Sequence, residues 1–479
     1  MKKLSDLYKG YPDIYINDIK INSKEVEKDD IFVCIKGATT DRHDFVKEAI
    51  NNGASAIVAS KKIDVNVPVI YVKDTNKEFY KLTQAFYNNP QDKLELISIT
   101  GTNGKTTTAR IIQDLIGKDK CGYIGTNGII YSNYSRTSRN TTPDADKLYK
   151  YFDKFVKANC KYATMEVSSE ALFYGRVQNL KFKVAIFTNI TEDHLNTHKT
   201  IRNYVNCKQK LFTQVKDDGF SILNTDDKYF ESTYKKAKGT ILTYGKKKST
   251  LQIKEIKEYL HKTTITFKYK NRLYTINSPL LGEFNAYNLS AALLSLLALG
   301  FDLKELEKNI KNIEVPKGRV EFLDFGQDFK ILLDYAHTTD AFDKLYKLLD
   351  TIKKKKRIIT VTGSAGGREH EKRKEMGKLV LEKSDYVIFT MDDPRNEDVN
   401  EIIDELVSDT KSINYERVIN RKKAIYKAFD LAGKNDIVLI AGKGNDNYMA
   451  IGNKYLPYND TKTIKEYFTW YNKLKRYFK

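Results

Sequence analysis

Residues 94–108 read LELISITGTNGKTTT, an apolar run, a glycine turn and the start of a predicted helix. Gly101 and Gly104 let the main chain approach a ligand closely, and the helix that Lys105 opens points its N-terminal N–H groups at the same place. Proteins hold triphosphates in this way. We therefore predict that the chain binds ATP or GTP, with Lys105 on the β and γ phosphates and Thr106 on Mg²⁺.

One position departs from the usual phosphate loop. A glycine is expected five residues before Gly104, and Ile99 stands there, whereas the later glycine, the lysine and the hydroxyl are kept. A strand turn without a ligand is the alternative that so short a pattern leaves open.

The composition bounds the class of protein. A chain of 479 residues is expected to divide into about three domains. The N-terminal residues form no apolar signal segment, and the longest apolar stretch, residues 289–301, is too short to span a bilayer. Four scattered cysteines indicate neither disulfides nor a thiolate zinc site. We expect a soluble, cytoplasmic protein.

The net charge of +20 raises the question of a nucleic-acid partner. The excess charge is mostly lysine spread through the whole chain, and no compact basic and aromatic module accompanies it. We expect no nucleic-acid partner, although a basic nucleic-acid-binding NTPase stays open as an alternative. The C-terminal residues 462–479 predict an amphipathic basic helix that packs on its own domain.

Strand and helix patterns divide the chain into three parts. Residues 1–91 mix short strands with one helical stretch, residues 44–52, and predict a small α/β domain. Residues 92–316 alternate strands and helices, which favours a mostly parallel sheet covered on both faces. Residues 317–479 again alternate buried strands with helices and predict a Rossmann-like domain. The predicted fold class is α/β, with a central parallel-sheet ATPase of the P-loop type between two smaller domains.

Polar residues follow later strands of the central part. Glu166 ends one strand, and Asn189, Asp193 and His194 follow the next. Ligands bind at the carboxyl ends of parallel strands, and these groups around a triphosphate are what Mg²⁺ requires. Helix capping by Glu166 and burial of His194 are the structural alternatives. His194 and His198 are four residues apart, but the absence of HExxH argues against zinc protease chemistry.

Motifs from nearly the whole chain, in one order, resemble a single family. They are TGTNGKTT (100–107), NTTPD (140–144), MEVSSEAL (165–172), GRV (175–177), NITEDHLNTH (189–198), YVNCKQKLF (204–212), GEFNAYNLSAA (282–292), VPKGRVE (315–321), LLDYAHTTDA (332–341), GSAGGREHEKRKEMG (363–377), DDPRNED (392–398) and AGKGNDNY (441–448). The chain is similar to the Mur ligases of peptidoglycan synthesis, and most closely to their MurE branch, the UDP-N-acetylmuramoyl-tripeptide synthetases.

The resemblance implies a reaction, its cofactors and its partners. ATP with Mg²⁺ phosphorylates the D-glutamate γ-carboxylate of UDP-MurNAc-L-Ala-D-Glu, and the amine of a diamino acid attacks the acyl phosphate. The partners implied are these small molecules, in a cytoplasmic ligase of cell wall biogenesis that we expect to be a monomer. A folylpolyglutamate synthetase shares the ATPase and last domains and is the related alternative, against which residues 1–91 and the TTP segment argue.

The resemblance also implies site residues, position by position. The ATP-binding residues are Gly101, Thr102, Asn103, Gly104, Lys105, Thr106, Thr107, Asn285, Asn288, Arg319 and Asp334, with His337 beside them. The catalytic residues are Lys105, Glu166, His194 and Lys208, and the metal-binding residues are Thr106, Glu166, His194 and Lys208. Residues 1–91 become the UDP-substrate-binding domain, and the UDP-substrate-binding residues are Ser23, Thr141, Thr142, Ser168 and Arg176.

Lys208 falls where the family carries a lysine modified by CO₂, and Lys210 is the competing position. The modification turns an ammonium into a carbamate that binds a cation. We therefore include a CO₂-derived carbamate on Lys208 among the expected cofactors.

The choice of amino acid depends on residues 317–479. The amino-acid-binding residues implied by the resemblance are Arg368, Asp392, Asp393, Arg395, Gly442 and Asp446. Family members that take meso-diaminopimelate hold its distal carboxylate with a DNPR motif and an upstream arginine. Arg395 and Arg368 favour diaminopimelate, because lysine would leave two cations unpaired. Asp393 replaces the amide and would attract an ammonium, so lysine, lanthionine and ornithine stay open.

Overall fold

The computed structural model describes residues 1–37, 40–138, 140–193, 195–259, 261–352, 356–367 and 370–477. The chain divides into two compact units, Met1–Ile97 with Gly117–Lys183, and Ser98–Ile116 with Val184–Lys479. Both units contain helices and parallel strands, which confirms the predicted α/β class. Among the described helices, none has both the length and the apolar character needed to cross a membrane.

Strands and helices alternate along most of the chain. Residues 1–93 form β1 (Lys2–Lys3), α1 (Leu4–Leu7), β2 (Tyr15–Ile16), β3 (Ile19–Lys20), β4 (Asp30–Val33), α2 (Val46–Asn51), β5 (Ala54–Ala59), β6 (Val69–Tyr71) and α3 (Thr75–Phe86). Residues 94–310 form β7 (Glu95–Thr100), α4 (Lys105–Ile116), β8 (Cys121–Gly125), β9 (Gly128–Tyr131), β10 (Tyr134–Arg136), α5 (Ala145–Lys157), β11 (Tyr162–Glu166), α6 (Ser169–Phe173), β12 (Phe182–Phe187), α7 (Leu195–His198), α8 (Ile201–Gln209), β13 (Val215–Asn224), α9 (Phe230–Tyr234), β14 (Thr240–Gly245), β15 (Leu251–Glu258), β16 (Thr263–Tyr269), β17 (Arg272–Ser278), α10 (Glu283–Ala298) and α11 (Leu303–Ile310). Residues 321–477 form β18 (Glu321–Leu323), β19 (Lys330–Asp334), α12 (Thr339–Ile352), β20 (Ile358–Thr362), α13 (His370–Lys383), β21 (Tyr386–Phe389), α14 (Val399–Val407), β22 (Tyr415–Arg417), α15 (Arg421–Leu431), β23 (Ile437–Ala441), β24 (Tyr448–Ile451), β25 (Lys454–Pro457) and α16 (Asp460–Tyr477).

The first unit begins with a four-stranded parallel sheet in the order β3-β4-β5-β6. Its apolar core includes Phe32, Val46 and Ile57. The sequence predicted one helix in this region, over residues 44–52, which corresponds to α2, and the prediction missed the short α1 and the longer α3. Asp74 begins α3 by accepting a hydrogen bond from Lys77 N at 3.0 Å, so an N-cap signal was present in the sequence.

The predicted parallel sheet of the central part has antiparallel edges. In the first unit β8 pairs in parallel with β11, whereas β9 and β10 continue as antiparallel strands. In the second unit β13 and β14 are parallel, and β15, β16 and β17 form an antiparallel meander. Lys270 and Asn271 turn the second hairpin of that meander with φ of +45° and +63°, as two-residue hairpins require.

The C-terminal residues of the second unit form a six-stranded sheet in the order β18-β19-β23-β20-β21-β22. Only the edge pair β18 and β19 is antiparallel. Apolar side chains cover the two faces in separate clusters, one with α12, α13 and α14 and the other with α15 and α16. The loops after β19, β21 and β23 leave the carboxyl ends of parallel strands, where ligands bind in such sheets.

A buried ion pair holds the end of β23. Arg421 donates to Asp460 from Nε at 2.9 Å and from Nη2 at 2.7 Å, and both side chains are fully buried. Arg421 Nη2 also donates to Ala441 O at 2.9 Å, just before the loop at Gly442. Burial would lower the pKa of Arg421, but the Asp460 carboxylate outweighs it and raises the pKa.

We predict that Arg421→Met lowers the free energy of unfolding of the second unit by about 3–5 kcal/mol, because Asp460 would remain as an uncompensated buried charge. Urea unfolding followed by the fluorescence of Trp470, the single tryptophan, measures this, since Trp470 lies in α16. Lys422→Ala is the control: it removes the exposed pair with Glu466 from the same helix and should change stability by less than about 1 kcal/mol. Equal stabilities for the two variants would contradict the prediction.

Candidate active site

The predicted strand, glycine loop and helix are β7, residues 101–104 and α4. Gly101 has φ of +153° and Gly104 has φ of +85°. A Cβ atom at Gly101 would lie 1.9 Å from Thr188 Oγ1, and one at Gly104 would lie 2.3 Å from Asn288 Oδ1. Both positions therefore require glycine, because neighbouring elements pack directly against the loop backbone.

Residues after β12 hold the loop in this shape. Asn189 O accepts from Thr102 N at 2.7 Å, and Thr188 Oγ1 donates to Asn103 O at 2.6 Å. The Asn189 side chain accepts from Asn103 N and donates to Asn103 O, both at 3.1 Å. We expected Asn189 among groups for Mg²⁺, but both ends of its amide are engaged with the loop backbone, so its role is structural.

Two lysine ammonium groups meet at the Gly101 carbonyl. Lys105 Nζ donates to Gly101 O and to Thr102 O, each at 2.9 Å. Lys208 Nζ, from α8, donates to the same Gly101 O at 2.7 Å, and its side chain is buried. Burial lowers the pKa of Lys208 well below its usual value, and the charge of Lys105 lowers it further. Lys210, the competing position, is exposed.

A cavity of about 490 Å³ opens beside the loop. The predicted nucleotide residues that line it are Asn103, Gly104, Thr107, Asn285, Asn288, Arg319 and Asp334. Asn288 donates to Asn285 Oδ1 at 3.0 Å, and Asn285 donates to Leu281 O at 2.7 Å, so the two amides are fixed at the start of α10. Tyr244, Phe284 and Tyr287 also line the cavity and offer aromatic surface to a base.

Arg319 and Asp334 connect this cavity to the C-terminal sheet. The Arg319 guanidinium lies 4.4 Å from the centre of the Tyr335 ring, and its Nη2 lies 3.5 Å from Thr106 Oγ1. Asp334 accepts from Val320 N and from Ala336 N, both at 2.7 Å. Burial raises the pKa of Asp334, and Arg319 opposes that shift. These contacts place a cation next to the first helical turn of the phosphate loop.

In the first unit, Thr142 forms hydrogen bonds that link several of the predicted UDP-substrate-binding residues. Its Oγ1 donates to Glu166 O at 2.9 Å and accepts from Ser168 N at 3.1 Å, while its carbonyl accepts from Arg176 Nη1 at 3.2 Å. The hydroxyl oxygen of Thr141 lies 3.2 Å from the hydroxyl oxygen of Thr126, which belongs to the same unit. Hydrogen bonds therefore join the segment between β10 and α5, which carries Thr141 and Thr142, to Ser168 after β11 and to Arg176 after α6.

Glu166 is a buried carboxylate with defined donors. Its Oε1 accepts from Tyr123 Oη at 2.6 Å and from Thr126 N at 2.9 Å. It does not cap α6, since Ser168 does so by accepting from Ala171 N. Ser23 lies on a 3-10 turn, residues Ser23–Glu25, in the N-terminal part of the unit, where its hydroxyl donates to Glu48 Oε2 at 2.5 Å.

A smaller cavity, of about 90 Å³, brings together the predicted amino-acid residues Asp392, Asp393, Arg395, Gly442 and Asp446. His337, expected beside the nucleotide, also lines this cavity, as does Asp193. Asp393 and Arg395 have φ of +47° and +53°, a left-handed backbone on both sides of Pro394. Arg395 Nη1 donates to Gly366 O at 2.9 Å, which ties the DDPR turn to the loop after β20.

Lys443 lies at the centre of this group, although no role was predicted for it. Its side chain is fully buried, and its Nζ donates to Asp393 Oδ1 at 2.7 Å and to Asp446 Oδ2 at 3.2 Å. Burial would lower the pKa of Lys443, but Asp392, Asp446 and Asp393 outweigh it and raise the pKa. Burial raises the pKa of Asp446 to about 6, against the opposing effect of Lys443. The sequence did contain a signal for Lys443, namely the GKG pattern of residues 442–444. Glycines on both sides of a lysine, in a turn at the end of a strand, restrict where its side chain can lie.

Two predicted residues, His194 and Arg368, lie outside the described residues. Within the described ranges, no group of three or more His, Cys, Asp or Glu side chains is placed to hold a metal ion. Mg²⁺ at nucleotide sites usually takes one or two protein carboxylates together with substrate phosphates and water. The Glu166 carboxylate in the first unit and the Thr106 hydroxyl in the second unit are each oxygen donors of the kind that Mg²⁺ prefers.

Comparison with known proteins gives three family-model matches. They are the Mur ligase family, catalytic domain, over residues 15–91, the Mur ligase middle domain over residues 99–296, and the Mur ligase, glutamate ligase domain over residues 318–444. The chain is 38% identical over 453 residues to a UDP-N-acetylmuramoyl-L-alanyl-D-glutamate–2,6-diaminopimelate ligase of Fusobacterium nucleatum, covering 93% of each chain. A Bacillus cereus protein of the same description is 38% identical over 463 residues, 95% of this chain and 94% of that one. A solved structure of such a ligase aligns with a TM-score of 0.65 at 27% identity, covering 98% of this chain and 99% of that one.

We predict that Gly104→Ala weakens ATP binding by at least about tenfold, because its Cβ would meet Asn288 Oδ1 at 2.3 Å and shift the loop or the cavity wall. Gly300→Ala is the matched control: Gly300 has φ of +89°, close to that of Gly104, but a Cβ there meets no atom within 4 Å. Calorimetric titration with ATP measures both affinities. An equal loss of ATP affinity in the two variants would show that backbone strain, and not the contact with Asn288, causes the effect.

Proposed function

Because the chain belongs to the Mur ligase family, we propose that it joins meso-diaminopimelate to UDP-N-acetylmuramoyl-L-alanyl-D-glutamate in an ATP-dependent reaction. The chain is an ATP-dependent ligase of the peptide-synthase class, and its family uses ATP with Mg²⁺. The observation that carries the proposal is the 490 Å³ cavity, in which the glycine loop, the two asparagines of α10 and Arg319 line one space. That space suits a nucleotide whose phosphates lie on the loop.

The reaction proposed has two steps. An oxygen of the D-glutamate γ-carboxylate attacks the γ phosphorus of ATP, which forms an acyl phosphate and releases ADP. The amine of the diamino acid then attacks the acyl carbon, loses a proton, and expels phosphate as the amide forms. Lys105 and Arg319 are the cations that offset the repulsion between the carboxylate and the phosphates. Mg²⁺, with Thr106, Glu166 and His194 as its proposed ligands, supplies further charge neutralisation when bound.

The charge of the amino-acid cavity supports a diamino acid with a distal carboxylate. Arg395 offers a cation to that carboxylate, and Asp392 and Asp446 offer anions to an amine. The relatives named above are described as 2,6-diaminopimelate ligases, which supports the same choice. Lysine, lanthionine and ornithine remain the alternative substrates.

The other functions considered have weaker support. A folylpolyglutamate synthetase would not account for a family match over residues 15–91 together with 38% identity to ligases of another substrate. A nucleic-acid-binding NTPase would not account for the matches over residues 99–296 and 318–444.

We also propose that Lys208 carries a CO₂-derived carbamate. An amine attacks CO₂ only when it is neutral; the N–C bond then forms, one proton leaves, and a carbamate anion results. The complete burial of Lys208 and the nearby charge of Lys105 both lower its pKa and favour the neutral amine. A carbamate retains one N–H, so the hydrogen bond to Gly101 O is compatible with the modification. The exposed Lys210 lacks these surroundings.

We predict that phosphate release from ATP requires both UDP-MurNAc-L-Ala-D-Glu and a diamino acid, because the D-glutamate carboxylate must first accept the phosphoryl group and the amine must then attack the acyl phosphate to expel phosphate. Inorganic phosphate assays with each substrate omitted in turn measure the requirement, and mass spectrometry identifies the tripeptide product. Steady release without either substrate, or turnover with folate and glutamate, would overturn the proposed function.

We predict that Lys208→Ala lowers kcat by at least about 100-fold, because the anionic group beside the phosphates is lost. A short carboxylic acid added to the assay should restore part of the activity, since it can occupy the space and charge of the carbamate. Lys210→Ala is the control and should stay within about twofold of the parent, because that side chain is exposed. Full activity of Lys208→Ala without added acid would exclude the carbamate.

A further inference from the structure

Lys443 is a charged residue of the AGKGNDNY motif that has no assigned role in the proposed reaction. It follows β23 directly after Gly442, whose φ is +111°, and no part of its side chain is exposed. A buried ammonium without partners is strongly unfavourable, so its partners determine what it does. Those partners are carboxylates of the amino-acid cavity, and all of them belong to the second unit.

The Asp393 carboxylate forms an ion pair with Lys443. Asp393 Oδ1 accepts from Lys443 Nζ at 2.7 Å and also from Ala450 N at 2.8 Å. A carboxylate without a cationic partner at this position would attract the distal ammonium of lysine. The ion pair with Lys443 takes up that negative charge inside the protein.

Asp446 shares the same ammonium at 3.2 Å, and Asp392 lies close enough to raise the pKa of Lys443. The Tyr448 ring, with its centre 4.9 Å from Lys443 Nζ, covers another side of the group. Two carboxylates therefore pair with one fully buried ammonium, and the charge of a third carboxylate, Asp392, also acts on it. A change in that one positive charge changes the potential of the whole cavity.

A diamino acid with a distal carboxylate and one without it differ by one negative charge at their distal ends. We propose that Lys443 is a positioning residue that selects between them: by neutralising and holding Asp393 and Asp446, it favours the diamino acid with the distal carboxylate over lysine. The inference rests on the proposed function. Without the Lys443 charge, the cavity would attract a distal ammonium and repel a distal carboxylate.

Initial rates with meso-diaminopimelate and with L-lysine, each over a range of concentrations, test the proposal on the full-length enzyme. The measured quantity is the ratio of the two kcat/KM values for the parent, Lys443→Gln, Asp393→Asn and the double variant. We expect Lys443→Gln to lower the ratio of diaminopimelate to lysine by at least about tenfold, through the KM for the amino acid. The double variant should recover most of that loss, because it removes one anion together with the cation.

Asp393→Asn alone should raise the ratio, and it keeps the left-handed backbone at residue 393, which asparagine tolerates well. This single variant tests the proposal even where Lys443→Gln fails to fold. An equal loss for both diamino acids in Lys443→Gln, or an unchanged ratio in Asp393→Asn, would overturn the inference and leave the proposed function intact. A parent enzyme that uses neither diamino acid would overturn the proposed function itself.

Discussion

The carbonyl oxygen of Gly101 accepts hydrogen bonds from two lysine side chains, and the candidate active site depends on this contact. The contact forms only because Gly101 has no side chain and because Thr188 and Asn189 press against the loop from β12. Lys105 reaches the carbonyl from the helix that follows, and Lys208 reaches it from α8, about a hundred residues later in the chain. Of the two, Lys105 brings a positive charge to the place where the phosphates of a nucleotide would lie.

The two lysines differ in burial, and this difference affects the chemistry of each one. Lys105 stays at the rim of the loop, half-buried, as a cation for phosphate oxygens. Lys208 is buried behind it, and the neighbouring charge favours its neutral form. The burial of Lys208 beside Lys105 supports the proposed modification by CO₂ at residue 208 rather than at the exposed residue 210.

A second, oppositely charged group lies at the carboxyl ends of β21 and β23. Asp392, Asp393 and Asp446 surround Lys443, and Gly442 lets Asp392 approach, since a Cβ there would lie 2.1 Å from Asp392 Oδ2. The buried pair of Arg421 and Asp460 fixes the end of β23 from which this loop leaves. The amino-acid cavity is therefore built on a rigid strand end, with its net charge set by a few paired groups rather than by solvent.

Local sequence patterns were enough to predict the order of strand, glycine loop and helix at residues 94–108, the α/β class, and many of the residues that line the two cavities. These properties are local, because they follow from hydrophobic periodicity and from what glycine and lysine can do within a short segment. The helix Thr75–Phe86, the antiparallel meander and the loop-holding role of Asn189 were missed or misjudged, although an N-cap and a hairpin turn were present in the sequence. The burial of Lys208 beside Lys105, the place of His337 in the amino-acid cavity and the pairing of Lys443 with Asp393 became visible only in the folded chain. The physical reason is that burial and ion pairing join residues distant in the chain, and packing alone decides which side chains lose contact with water.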